Sequence, residues 1–66
     1  MRDVILKALE HKYNADISEA EANLKVYLEN PAGVAEHPDV VKEADKLVAK
    51  IAEAEDKLGI LKEFND

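Results

Sequence analysis

From Arg2 to Glu29 the chain carries neither proline nor glycine, and apolar residues return at Ile5, Leu9, Tyr13, Ile17, Ala20, Leu24, Tyr27 and Leu28. Steps of three and four place these side chains along one face of an α-helix. The pattern predicts a helix over about 2–29, roughly 40 Å long at about 1.5 Å of rise per residue. Asp3 falls in its first turn, where a carboxylate meets the positive end of the helix dipole.

The run stops at Asn30-Pro31-Ala32-Gly33, which has the composition of a type I turn with Asn first, Pro second and Gly fourth. Pro31 cannot extend the helix, because it lacks an N–H and its ring clashes with the preceding turn. Val34 and Ala35 lead on to His37-Pro38-Asp39, where a proline followed by an acid marks a helix start. A loop is therefore expected over about 30–37 and a second helix over about 38–64. In that helix Val40, Ala44, Leu47, Ile51, Ala54, Leu58 and Leu61 alternate steps of four and three, which is a coiled-coil heptad seam. Val41 and Val48 widen the seam on one flank. Gly59 disfavours a helix interior by about 1 kcal/mol and would also serve as a C-terminal cap. Leu61 keeps the seam beyond it, so the helix is expected to run on to about Phe64.

Two helices of similar length joined by a short turn pack antiparallel. The fold class expected is all-α, a single antiparallel two-helix hairpin. Folding about Val34 brings Leu28 opposite Val40, Leu24 opposite Ala44, Ile17 opposite Ile51, Leu9 opposite Leu58 and Ile5 opposite Phe64, and every facing pair is apolar. A second strip on the first helix, Val4, Ala8, Ala15, Ala22 and Val26, is offset from the main stripe by about a quarter turn or more. One partner helix does not cover both. Either these residues are tolerated at the surface, or they let another helix approach closely, so that two hairpins dimerise into a four-helix bundle. Asp16 and Asn23 continue a seven-residue line that begins at Leu9. They either drift to a wet rim or are buried to fix the register.

Composition adds a reason to look for a second copy. A chain of 66 residues buries only about 60% of the surface its unfolded form exposes. Small proteins compensate with disulfides, a metal or oligomerisation. With no cysteine, disulfides and thiolate zinc sites are excluded, which leaves oligomerisation and gives no sign of an oxidising compartment. The 47% hydrophobic and 36% charged shares fit a folded helical chain better than a disordered one. Apolar runs reach only the length of Val4-Ile5-Leu6, far below the roughly 20 residues that cross a bilayer. Arg2-Asp3 followed by no long apolar segment does not read as a secretory signal. No membrane partner and a cytoplasmic location are expected.

Fifteen acidic residues against nine basic ones give a net charge of −6, with no basic cluster of the kind that displaces counterions from phosphates. No nucleic-acid partner is expected. Catalytic and cofactor chemistry also lacks its residues. His11 and His37 have no acidic residue three positions before them, as a Glu-x-x-His metal motif needs, and they lie at opposite ends of the first helix. No metal and no cofactor is expected. The chain has no phosphate-cradling glycine loop, nucleophile elbow or calcium loop. Ser18, the only serine, has no histidine one turn away to act as its base. Two-helix aspartyl-phosphate phosphatases carry Ser-x-x-x-Asp, whereas Ser18 is followed four positions on by Ala22. Glu53, Glu55 and Asp56 point in different directions around their helix. The chain does not read as an enzyme.

The opening Met1–His11 and the stretch Val26-Tyr27-Leu28-Glu29-Asn30-Pro31-Ala32-Gly33-Val34-Ala35-Glu36-His37-Pro38-Asp39-Val40 resemble small helical proteins of marine T4-like bacteriophages. The resemblance runs to about Leu61 and is most specific from Val26 to Val40. Those proteins often place a second glycine where this chain has Ala35. The resemblance implies a protein made inside an infected bacterium and supplies no activity.

The function expected is that of a small non-catalytic interaction module, binding itself and a host or phage protein. The alternatives are an assembly part of a phage particle, and an acidic decoy of a nucleic-acid-binding protein, which dispersed lysines such as Lys42, Lys46 and Lys50 argue against. Two regions are candidates for contact. Val4, Ala8, Ala15, Ala22 and Val26 would serve self-association. The stiff loop would present Val34, Glu36 and His37 to a partner, unless Val34 only plugs the open end of the helix pair and His37 caps the second helix.

Overall fold

The computed structural model describes residues 1–29 and 39–64. Two helices, α1 (Arg2–Glu29) and α2 (Val40–Lys62), pack against each other along their length as a hairpin. Val34, Glu36, His37 and Pro38 lie outside the described residues.

The start of α2 is set by Asp39. Its carboxylate accepts from the Lys42 backbone N–H at 3.1 Å, and its carbonyl accepts from Glu43 N–H at 3.1 Å. That arrangement satisfies amide donors which have no partner inside the helix. Glu43 in the first turn and Lys62 in the last complement the helix dipole. Beyond Lys62 the chain tightens, with Glu63 N–H donating to Ile60 O at 3.0 Å and Phe64 N–H to Leu61 O at 3.0 Å. The helix runs through Gly59 without a positive φ, and a Cβ added there meets nothing within 4 Å.

The interface is a one-sided seam. On α1 it consists of Leu6, Leu9, Tyr13, Ile17, Ala20, Leu24 and Tyr27, and on α2 of the heptad series from Val40 to Leu61. Only Ala20 and Ala54 are buried among the described residues, at 2% and 4% exposure, and the larger seam side chains are half-buried.

The expected α1 stripe needs correction at both ends. Ile5 and Leu28 are exposed, and Leu6 takes the inward place that Ile5 was expected to hold. Val4, Ile5 and Leu6 together sweep about 200° of the helix surface, so their own periodicity does not choose a phase. Packing on α2 chooses Leu6, three residues before Leu9 and seven before Tyr13. The Ile5–Phe64 pair is lost for the same reason, since Phe64 lies in the turn past α2 and is itself exposed. The antiparallel register holds within about a turn: the Arg2 guanidinium donates to the Phe64 carbonyl, and the Lys57 ammonium lies over the Tyr13 ring at 5.4 Å.

Four ion pairs join Lys7 to Glu10, Lys12 to Asp16, Lys46 to Glu43 and Lys57 to Glu53, all one turn apart on the same helix. Exposed pairs of this kind contribute little and do not tie the helices together. Asp16 is half-buried and pairs with Lys12 at 3.9 Å, and Asn23 is exposed, so neither acts as a buried register lock. Among the described residues no helix is long and apolar enough to cross a membrane.

Two measurements check this packing. Leu6→Ala should lower unfolding free energy by about 1–2 kcal/mol, while Ile5→Ala should change it by less than about 0.5 kcal/mol; equal effects in urea titrations would mean the phase of α1 is wrong. Gly59→Ala places a methyl group in open space on a helical backbone, and should raise stability by about 0.5–1 kcal/mol, seen as a melting temperature higher by about 3–8 °C.

Candidate functional site

An antiparallel hairpin offers four long surfaces: the outer back of each helix, and two flanks to which both helices contribute. The two flanks of this hairpin differ in chemistry, and the difference follows from where each residue falls around its helix.

One flank is a polar groove. Asp16, Glu19 and Asn23 of α1 face Lys50, Glu53 and Lys57 of α2 across a floor formed by Ala20, Leu47 and Ala54. The two alanines make the groove, because larger side chains at the same seam positions would fill it. Lys57 is its best-placed cation. It pairs with Glu53 at 2.9 Å and covers the Tyr13 ring, so its stem packs across the seam while its charge stays at the rim. The hydrogen bond from Lys57, helped by the attraction of its charge, holds the Glu53 carboxyl below the usual carboxylate range. The same hydrogen bond to Glu53, then its negative charge, pushes the Lys57 ammonium up. Signs alternate along the groove, so it presents no concentrated field of either charge.

The opposite flank changes character along its length. Near the free ends of the helices it is a cleft lined by Asp3, Lys7, Glu10 and Asn14 from α1 and by Leu58, Leu61 and Lys62 from α2. Toward the connecting segment Leu28, Val41 and Val48 are exposed at 69%, 81% and 51%. At about 100° per residue all three lie on this side of the seam, next to half-buried Leu24 and Ala44 and beside exposed Glu21 and Lys25.

The outer back of α1 carries the strip singled out for self-association. Val4, Ala8, Ala15, Ala22 and Val26 are all exposed. The strip lies about 160° from the seam, so it faces almost directly away from α2. His11 is exposed on the same side, beside Val4, Lys7 and Ala8. Among the described residues no three His, Cys, Asp or Glu side chains converge as metal ligands would. The loop candidates Val34, Glu36 and His37 lie outside the described residues.

No protein-family model matches the chain, and no curated protein and no solved structure matches it either.

Sequence periodicity did not find the Tyr13–Lys57 contact or the exposure of Leu28 beside Val41 and Val48. The signal for the second is present in Val41 and Val48, which widen the α2 seam toward that side; on α1 it is masked because Tyr27 and Leu28 are adjacent apolar residues and only packing turns Tyr27 inward.

The Glu53–Lys57 pair makes a pH-dependent contribution of known sign. With Glu53 titrating below its unfolded value, the contribution is present at neutral pH and disappears as pH falls through the folded-state value. With Lys57 titrating above its unfolded value, it also disappears as pH rises through that higher value. In carboxyl-carbon NMR titrations Lys57→Gln should move the Glu53 midpoint upward. A Glu53 midpoint that ignores the substitution would show that the pair does not form in solution.

Proposed function

We propose that this chain is a non-catalytic protein-interaction module that works as a homodimer, two hairpins associating into a four-helix bundle. The observation that carries this reading is the thinness of the core: Ala20 and Ala54 are the only buried side chains among the described residues, while Val4, Ile5, Val26, Leu28, Val41, Val48, Ile60 and Phe64 are each about half or more exposed. Apolar surface in this amount is what interaction sites present. The shape supports the same reading. The hairpin measures 47 × 15 × 14 Å with a radius of gyration of 15.1 Å, against about 11 Å for a compact domain of this length.

A host or phage protein is the further partner that the sequence resemblance supports, met inside an infected bacterium. The absence of a concentrated charge field in either flank favours a protein surface over a nucleic acid or an acidic decoy role.

Self-association is testable without knowing that partner. Light scattering at high micromolar concentration should return twice the chain mass, and the melting temperature should fall on dilution, because only the folded dimer is stabilised by mass action. A chain mass equal to one copy, together with a melting temperature independent of concentration, overturns the reading.

A further inference from the structure

We infer that the last turn of α2 is a hinged wall of the cleft at the free ends of the helices. It swings on Gly59 between a wound state, with α2 reaching Lys62, and an unwound state in which α2 ends at Leu58. Arg2 is the latch that holds it wound. The device belongs to a single hairpin and stands whether or not two copies associate.

Gly59 supplies the hinge. Nothing in the wound helix calls for a glycine, since its φ is not positive and a Cβ added there meets nothing within 4 Å. Packing and backbone geometry both accept alanine, which favours a helical backbone over glycine by about two- to fivefold. A left-handed residue just past a helix end does call for glycine. With Gly59 in that conformation, its N–H donates back to the Asp56 carbonyl and the Ile60 N–H to the Glu55 carbonyl, which closes the helix at Leu58. Lys57 then falls in the last turn, where a cation meets the negative end of the dipole.

The segment beyond the hinge is lightly held. Past Gly59 only Leu61 belongs to the seam, and it is half-buried, whereas Ile60 and Phe64 are 47% and 51% exposed. The chain there has already exchanged α-helical bonding for the shorter-range bonds from Glu63 N–H to the Ile60 carbonyl and from Phe64 N–H to the Leu61 carbonyl. Its polar tie to α1 is the Arg2 guanidinium on the Phe64 carbonyl. Backbone freedom regained by residues 60–64 favours unwinding, and the packing of Leu61 together with the Arg2 latch opposes it.

That same segment lines a cavity. The cleft, of about 590 Å³, is bounded on the α2 side by Leu58, Leu61 and Lys62. Gly59 divides Leu58, which stays in the seam, from Leu61 and Lys62, which leave with the turn. Unwinding therefore removes one wall of the cleft, bares Leu6 on α1, and frees Arg2 at the same moment. Access to the cleft and the winding of α2 are one equilibrium.

Solvent-exchange NMR on the whole chain tests this amide by amide. Arg2→Gln should speed exchange at Leu61, Lys62, Glu63 and Phe64 by about two- to tenfold, the loss of one hydrogen bond. Gly59→Ala should slow it at the same amides by about two- to fivefold. A chemically synthesised chain with D-alanine in place of Gly59 favours the left-handed backbone and should speed exchange from Leu61 onward by at least about fivefold, while the amides up to Leu58, and that of Ile60, keep the protection they have in the parent. The break at Gly59 separates a hinge from simple fraying. Protection that declines smoothly back through Glu55 in the D-alanine chain, or loss of its helical circular dichroism, overturns the hinge. Exchange beyond Gly59 that ignores Arg2→Gln overturns the latch.

Discussion

Two helices by themselves can cover only one side of each other. Every other property of this hairpin follows from that limit. Each helix turns a single stripe inward, and with no third layer above the stripe the larger side chains stay open at their edges. Leu6, Ile17, Leu24, Leu47 and Ile51 are half-buried, and among the described residues only Ala20 and Ala54 are buried, their side chains short enough to end inside the contact. The ion pairs do not change this balance, because each joins neighbouring turns of one helix and none crosses between helices among the described residues. What joins the two is a narrow apolar seam, with Lys57 over Tyr13 and Arg2 at the Phe64 carbonyl as cross-helix additions.

The sequence was most informative where its pattern admitted one phase. From Val40 to Leu61 the alternation of four and three leaves no competing stripe, and the seam of α2 is the one read from it. The same alternation carried the helix through Gly59. α1 is less determinate. Val4-Ile5-Leu6 near its start and Val26-Tyr27-Leu28 near its end each offer three consecutive apolar residues, and a helix turns only one or two of three such residues toward a single neighbour. The choice of Leu6 and Tyr27 belongs to the packed pair, not to either helix. Its steps of three, four, four, three, four and three also depart from a strict heptad, so the phase at the middle does not extend simply to the ends.

The candidate surfaces were legible in proportion. That α1 carries a second apolar strip was plain from composition and spacing, and its place on the outer back of α1 holds in either phase, because exchanging Ile5 for Leu6 shifts the mean direction of the stripe by only a few degrees. What the packed pair decides is the fate of the end residues, with Leu28 left exposed on a flank beside Val41 and Val48.

The Arg2–Phe64 contact, 62 residues apart in sequence, has a consequence for the order in which the hairpin closes. Cross-helix contacts near the bend join short segments, and those toward the open end join progressively longer ones, with Tyr13–Lys57 between the extremes. Closing entropy grows only logarithmically with the segment enclosed, about 0.6 kcal/mol per doubling. Once the bend has formed, each further turn adds little entropic penalty, and pairing advances outward as in a zipper. Opening runs the other way. The helix ends that hold Ile5, Gly59 and Phe64 form the part of the molecule that breathes first, while the turns nearest the bend keep their partners longest.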